Sequence, residues 1–222
     1  MLDGLLSIIA PHYCCWCGKI GSLLCADCKY DITSEPYEGC VPCGSLVSGT
    51  NNLCHLCHPA YSNAWCVGDR RESLQRLIGL YKFQRTYSGY KQLADLLDER
   101  LPILPANVVI VPIPTIPSHI RERGYDHMAM IAKRFAKQRG LKVEQVLTRT
   151  TKTVQRQSGR LQRKKQASRA FDCPVTLSDD TTYLLLDDVV TTGATVEYAA
   201  RCLRSAGAGD VWVAAIARQP LD

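Results

Sequence analysis

Long apolar runs are missing from this 222-residue sequence. Runs such as Leu5 to Ala10 and Val108 to Ile113 fall far short of the ~20 residues that a bilayer span requires, so no membrane span is expected. A secretory leader is not expected either. Asp3 stands where a basic start belongs and no cleavage pattern follows, so the expected location is cytoplasmic. The compositional bias of a disordered chain is also absent, because 46% hydrophobic against 22% charged residues is the balance of a chain that builds a core. The formal net charge of +6 gives a mild attraction for anions.

Cysteine, by contrast, is abundant. Ten of the twelve lie between Cys14 and Cys66, and in a reducing compartment that density points to metal rather than disulfides. Four Cys-x-x-Cys knuckles are present: Cys14 with Cys17, Cys25 with Cys28, Cys40 with Cys43, and Cys54 with Cys57. Two intervening residues let a tight turn aim both sulfurs at one ion. Gly18 and Gly44, each following a knuckle, allow the left-handed backbone this turn needs. Eight thiolates suffice for two tetrahedral zinc ions. Successive pairing (first knuckle with second, third with fourth) and interleaved pairing both satisfy the spacing. His12, His55 and His58 are not needed as ligands, and Cys15 reads as a spectator. With no ligand position open for water, the expected role is structural, the metal supplying folding energy to a segment poor in large apolar residues.

The expected organisation is a double zinc-ribbon module over residues 1–60, a helical connector over 61–105 and an α/β domain over 106–222. In the connector, Leu74, Leu77, Ile78 and Tyr81 recur at helical spacing, as do Leu93, Leu96, Leu97 and Leu101, with a turn near Arg85 to Gly89. Lys82 and Arg85 read as solvent-facing, with reach to a bound anion as the alternative. The runs Asn107–Ile113, Tyr183–Asp187 and Val211–Ala217 read as buried strands. Between them, Met128, Ile131, Ala132 and Phe135 predict one helix ending near Gly140, and Val196, Ala199, Ala200 and Leu203 predict another ending near Gly207. Strands alternating with helices imply a mainly parallel sheet, and ligands of such sheets bind beyond the C-terminal strand ends.

The stretch Leu184 to Thr195 is a buried strand, the acids Asp187 and Asp188, a small-residue loop and a helix start. Backbone N–H groups of the loop can wrap a phosphate, and the helix N-terminus adds its positive end. Thr191, Thr192 and Thr195 offer hydroxyls, while Gly193 and Ala194 permit close approach. Carboxylates at 187 and 188 suit the vicinal hydroxyls of a sugar. An N-capped strand–turn–helix with no ligand is the plain alternative.

In order, these residues resemble the phosphoribosyltransferase signature. The likeness implies a type I fold whose site binds 5-phosphoribosyl-1-diphosphate with Mg²⁺, or a related sugar phosphate. Further residues resemble the ComF family: Val111-Pro112-Ile113-Pro114 followed by Arg121 to Asp126, Thr151 to Gln157 running on through Leu161 and Arg163 to Ala170-Phe171, Leu80-Tyr81-Lys82-Phe83, and the cysteine knuckles. The resemblance spans nearly the whole chain. It departs at Gln166, where the family commonly has asparagine. It implies Arg121 and Arg123 at the diphosphate loop and Arg149, Lys152 and Gln155 on a flap. It also implies an association with natural transformation, with single-stranded DNA and DNA-uptake proteins as partners. The motif does not assure turnover. If transfer occurs, Asp187 or Asp188 would orient the sugar or accept a proton. A glutamine-using enzyme is not expected, because Met1-Leu2-Asp3 opens a zinc module where a catalytic cysteine would stand.

From Arg149 to Arg169 no acid interrupts Arg149, Lys152, Arg156, Arg160, Arg163, Lys164, Lys165 and Arg169. This stretch suits a flap over a diphosphate, a track for a nucleic-acid backbone, or a solvated loop. Aromatic platforms are sparse near it. Only Phe171 lies close, with Trp16 and Tyr37 available from the zinc module.

Overall fold

Branched aliphatic side chains pack best on a pleated surface that is covered on both faces, and such strands form the centre of this protein. The computed structural model describes residues 12–35, 37–47, 51–84, 86–150 and 170–220. In chain order its elements are α1 (Ala26–Ser34), β1 (Asn63–Asp69), α2 (Glu72–Phe83), α3 (Gly89–Arg100), β2 (Val108–Pro112), α4 (Pro117–Arg123) and α5 (His127–Arg139). There follow β3 (Lys142–Val143), β4 (Thr148–Arg149), β5 (Phe171–Asp172), β6 (Thr182–Val190), α6 (Ala194–Ser205) and β7 (Asp210–Arg218).

Five strands make one parallel sheet in the order β1-β7-β6-β2-β3. Every residue of β2 is buried and all but one of β6, as expected of central strands. Alternation divides the core in two. Val108, Ile110, Leu184, Leu186, Ala214 and Ile216 face α2, α3 and α5, and the first cysteine group packs into the same cluster. Val109, Val111, Leu185, Val211 and Val213 face α6, and Val41 from the second cysteine group joins them. The two cysteine groups therefore sit on opposite faces of the sheet.

The connector contributes more than the two helices its periodicity predicts. Asn63–Asp69 forms β1, an edge strand pairing along β7, and Trp65 meets Trp212 edge-on with ring centroids 5.5 Å apart. Helix boundaries follow local chemistry. Asp126 caps α5, accepting hydrogen bonds from the N–H groups of Met128 and Ala129 at 3.1 Å, and Gly140 ends it with φ 65°. A second, two-stranded antiparallel sheet joins β4 to β5. Together with the bond from Thr150 N–H to the Ala170 carbonyl at 3.1 Å, it brings both ends of the basic stretch to one place. Residues 151–169, including Lys152, Gln155, Lys164, Lys165 and Gln166, lie outside the described residues, as does Arg85. No helix among the described residues is long and apolar enough to cross a membrane.

Candidate functional site

Strand β6 delivers two acids to the C-terminal side of the sheet, and alternation separates their surroundings. Asp188 lies on the α2/α5 face, where its Oδ2 meets Lys82 Nζ at 2.6 Å and His127 Nε2 at 2.5 Å. Burial pushes this carboxyl up. The His127 hydrogen bond and the Lys82 charge outweigh it, so Asp188 is held well below the usual carboxylate range. Asp187 feels the charges of both Lys82 and Arg149, and its Oδ1 accepts the Asp188 N–H at 2.9 Å. Burial, then the neighbouring Asp188 charge, pushes it up to about 7.

The groups around Asp188 form a connected set. Arg123 Nη1 lies 2.9 Å from His127 Nδ1. A guanidinium can only donate, so Nδ1 accepts and Nε2 carries the proton directed at Asp188. Thr115 donates to the Asp126 cap at 2.8 Å. The Tyr81 hydroxyl donates to the His127 carbonyl at 3.1 Å, and Tyr125 donates to the Tyr81 carbonyl at 2.6 Å. These bonds bring α2 and the start of α5 together, so that Lys82 and His127 converge on one oxygen. Phe83 lies under the Arg123 guanidinium at 5.7 Å. Three consecutive residues of the Leu80–Phe83 motif thus serve the site. Sequence reasoning misses His127, because nothing there distinguishes a helix-opening histidine from any other.

Beyond Val190 the chain turns through exposed Thr191 and Thr192 to Gly193 and enters α6 at Ala194 and Thr195. Gly193 is the N-cap at φ 73°, and no side chain caps the helix. First-turn N–H groups have no intrahelical acceptors, so this end is open to an anion. Arg149 lies on β4, its Nε donating to the Pro114 carbonyl at 2.8 Å and its guanidinium stacked 4.9 Å from the Phe171 ring. Burial lowers its pKa and the Asp187 charge opposes that. Of the other diphosphate candidates, Arg121 is exposed on α4, and Arg123 is committed to His127.

The cysteines resolve into Cys14, Cys17, Cys25 and Cys28 in one group and Cys40, Cys43, Cys54 and Cys57 in the other. Successive knuckles pair. In each group the sulfurs all lie within 4.8 Å of one another, with Cys17 to Cys25 at 3.5 Å and Cys43 to Cys54 at 3.7 Å. A tetrahedral ion with Zn–S bonds of ~2.3 Å separates its ligands by ~3.8 Å, so both groups fit zinc. The N–H groups of Cys28 and Cys54 point at the sulfurs of Cys25 and Cys40, at 3.5 and 3.3 Å. Burial and the neighbouring thiols push Cys28 and Cys57 far up, so these two thiols keep their protons until a cation replaces them. Gly18 and Gly44 take φ 77° and 79°, as the knuckles require. Cys15 belongs to neither group, and burial pushes it up to about 11.

Trp16 and Tyr37 line a groove of about 960 Å³ between the two cysteine groups. Asp31, Glu35, Glu38, Asp69 and Glu72 line it against only Arg71 and Arg218. Its acidic walls oppose a phosphate backbone there.

No family model matches the chain. Competence protein F of Haemophilus influenzae is 28% identical over 210 residues, covering 88% of this chain and 90% of that protein. The chain is similar to that competence protein along most of its length. Among solved structures, the chain is similar to the allosteric regulatory enzyme of purine biosynthesis, with TM-score 0.41 and 20% identity over 57% of this chain and 25% of that one. It is also similar to a hypoxanthine phosphoribosyltransferase from Staphylococcus aureus, with TM-score 0.37 and 12% identity over 59% of this chain and 64% of that one. It therefore spans less than two thirds of either solved chain. The parallel sheet with its flanking helices makes an α/β fold carrying a Cys-rich N-terminal module with two four-cysteine groups.

Proposed function

We propose that this chain is a ComF-family protein that binds 5-phosphoribosyl-1-diphosphate with Mg²⁺ at the loop after β6, and that it handles single-stranded DNA during natural transformation in the cytoplasm. One observation carries the ligand reading: an uncapped helix N-terminus at Gly193 directly follows a buried acid pair at the C-terminal end of the sheet. In this reading Thr191 to Thr195 hold the 5-phosphate through backbone N–H groups and hydroxyls, and the acids of β6 receive the ribose hydroxyls. Lys82 and His127 fix the Asp188 carboxylate, leaving its other oxygen for the sugar. Asp187, less constrained, is the second acceptor. Mg²⁺ takes oxygen ligands and enters with the diphosphate. Arg149, Arg121 and the flap residues Lys152 and Gln155 are assigned to the diphosphate end.

The DNA reading rests on the acid-free basic stretch from Arg149 to Arg169, and the acidic groove between the cysteine groups directs the strand away from Trp16 and Tyr37. DNA-uptake proteins are the expected company. A second reading, an active transferase on a base or amine, is favoured by Asp187: a carboxyl pushed up to about 7 is suited to accept a proton near neutrality.

Two calorimetric titrations test the ligand reading, one with 5-phosphoribosyl-1-diphosphate and Mg²⁺, one with diphosphate and Mg²⁺ alone. Tighter binding of the sugar diphosphate, weakened by Asp187→Asn with Asp188→Asn in a folded protein, is expected. Equal affinities, or a double variant that binds like the wild type, would overturn it. Release of diphosphate in the presence of a panel of bases and amines distinguishes the transferase from the binding protein.

A further inference from the structure

The second cysteine group touches the loop assigned to phosphate. Pro42, between Cys40 and Cys43, packs on Gly193, where an added Cβ would lie 3.5 Å from the Pro42 Cα and 3.9 Å from its carbonyl oxygen. Val41 is fully buried in the cluster that contains Val190 and Val196, the residues on either side of the loop.

One side chain fastens this contact. Arg218, the last residue of β7, is 1% exposed. Its Nε donates to the Val41 carbonyl at 2.7 Å and its Nη2 to the Pro42 carbonyl at 3.2 Å, while Nη1 donates to the Gln219 carbonyl. Gln219 in turn donates its N–H to the Val190 carbonyl at 2.8 Å, at the point where the loop leaves the sheet. Beyond the loop, Glu197 on α6 accepts the Ala60 N–H at 3.0 Å, tying the chain just after the fourth knuckle to the same helix. A buried guanidinium partnered by backbone carbonyls costs desolvation energy that an aliphatic residue would avoid. What it achieves here is geometric: five N–H donors in a rigid fork reach carbonyls on two separate segments. The first cysteine group, on the opposite face, makes no such approach among the described residues.

We propose that the second four-cysteine group is a positioning element for the phosphate-binding loop, with Arg218 as its clamp and Pro42 as its contact, so that metal occupancy of this one site and affinity for a sugar phosphate are coupled. This rests on the phosphoribosyl reading for the identity of the ligand, while the mechanical coupling stands apart from it. The zinc of the second site shapes the turn that presents the Val41 and Pro42 carbonyls, and the zinc of the first site does not affect the loop.

Hydrogen exchange of the peptide covering residues 190–197, zinc content, and calorimetry with ribose 5-phosphate test this in the full chain. Arg218→Met is expected to speed exchange of that peptide by about tenfold and weaken ribose 5-phosphate by about tenfold, with Arg218→Lys intermediate. Pro42→Gly should act in the same direction and decides the matter alone if Arg218→Met does not fold. Leu24→Ala, a cavity in the first cysteine group, lowers the melting temperature without moving the 190–197 exchange, so general destabilisation is told apart from loss of the clamp. Wild-type exchange at 190–197 in both the Arg218 and Pro42 variants, while residues 40–57 exchange faster, would overturn the coupling. If wild-type protein fails to bind ribose 5-phosphate, the phosphoribosyl reading falls, and the exchange measurements still decide the coupling.

Discussion

Asp187→Asn should make the protein more stable above neutral pH while weakening its grip on a sugar phosphate. Burial and the Asp188 charge move the Asp187 carboxyl from an ordinary 3.8 to about 7. At ~1.36 kcal/mol per pH unit, that displacement corresponds to roughly 4 kcal/mol against the charged form in the folded state. Water penetration and local relaxation reduce it, so about 1–3 kcal/mol is the expected gain on removing the charge. The sign follows from proton binding. Between about pH 4 and pH 7 the folded state keeps a proton that the unfolded chain has released, so wild-type stability falls as pH rises through this window. Asparagine resembles the neutral acid and has no such dependence. Urea unfolding in zinc-containing buffer at about pH 5.5 and about pH 8.5 should show about half the gap at the first and the full gap at the second. A variant no more stable than wild type at the higher pH, or equally favoured at both, would refute the reasoning.

Asp188→Asn should act oppositely, because it leaves the Lys82 ammonium, 2.6 Å away, without its carboxylate, and a loss of roughly 3 kcal/mol is expected in the same unfolding measurement. Because its folded-state pKa is depressed, Asp188 contributes stability above the ordinary carboxylate range that is lost as pH falls through its lowered folded-state value. Metal analysis of the purified protein should find two zinc ions per chain, and Cys17→Ser should lower occupancy of the first site alone, since the two groups share no ligand. Single-stranded DNA binding should weaken steeply with salt, and Lys164→Glu with Lys165→Glu should make the log–log slope shallower by about 1.4; an unchanged slope in fluorescence anisotropy would count against the basic stretch as the DNA contact.

Much of the fold was legible because its signals are local. The runs Asn107–Ile113 and Tyr183–Asp187 read as buried strands and contain β2 and the middle of β6, and Gly140 ends α5 where the periodicity predicts. The strand β1 was not, since Asn-Ala-Trp-Cys-Val-Gly-Asp is short and mixed, and pairs only because β7 offers an edge. The pairing of the knuckles depends on distances between segments, which spacing does not encode. The site divides the same way. Asp187, Asp188 and the loop to Thr195 are contiguous and could be read as a unit. The bonds of His127 to Asp188 and of Arg218 to Val41 join residues 61 and 177 positions apart, and no short pattern announces them. Lys82 could be named as able to reach an anion, but its carboxylate partner could not.

Backbone amide shifts on titration with 5-phosphoribosyl-1-diphosphate and Mg²⁺ locate the ligand most directly. The amides of Thr191, Thr192, Gly193, Ala194 and Thr195 should move together and saturate with one affinity, ahead of those elsewhere in the chain. Shifts confined to other segments, or none at saturating ligand, would contradict the assignment of this loop as the phosphate cradle.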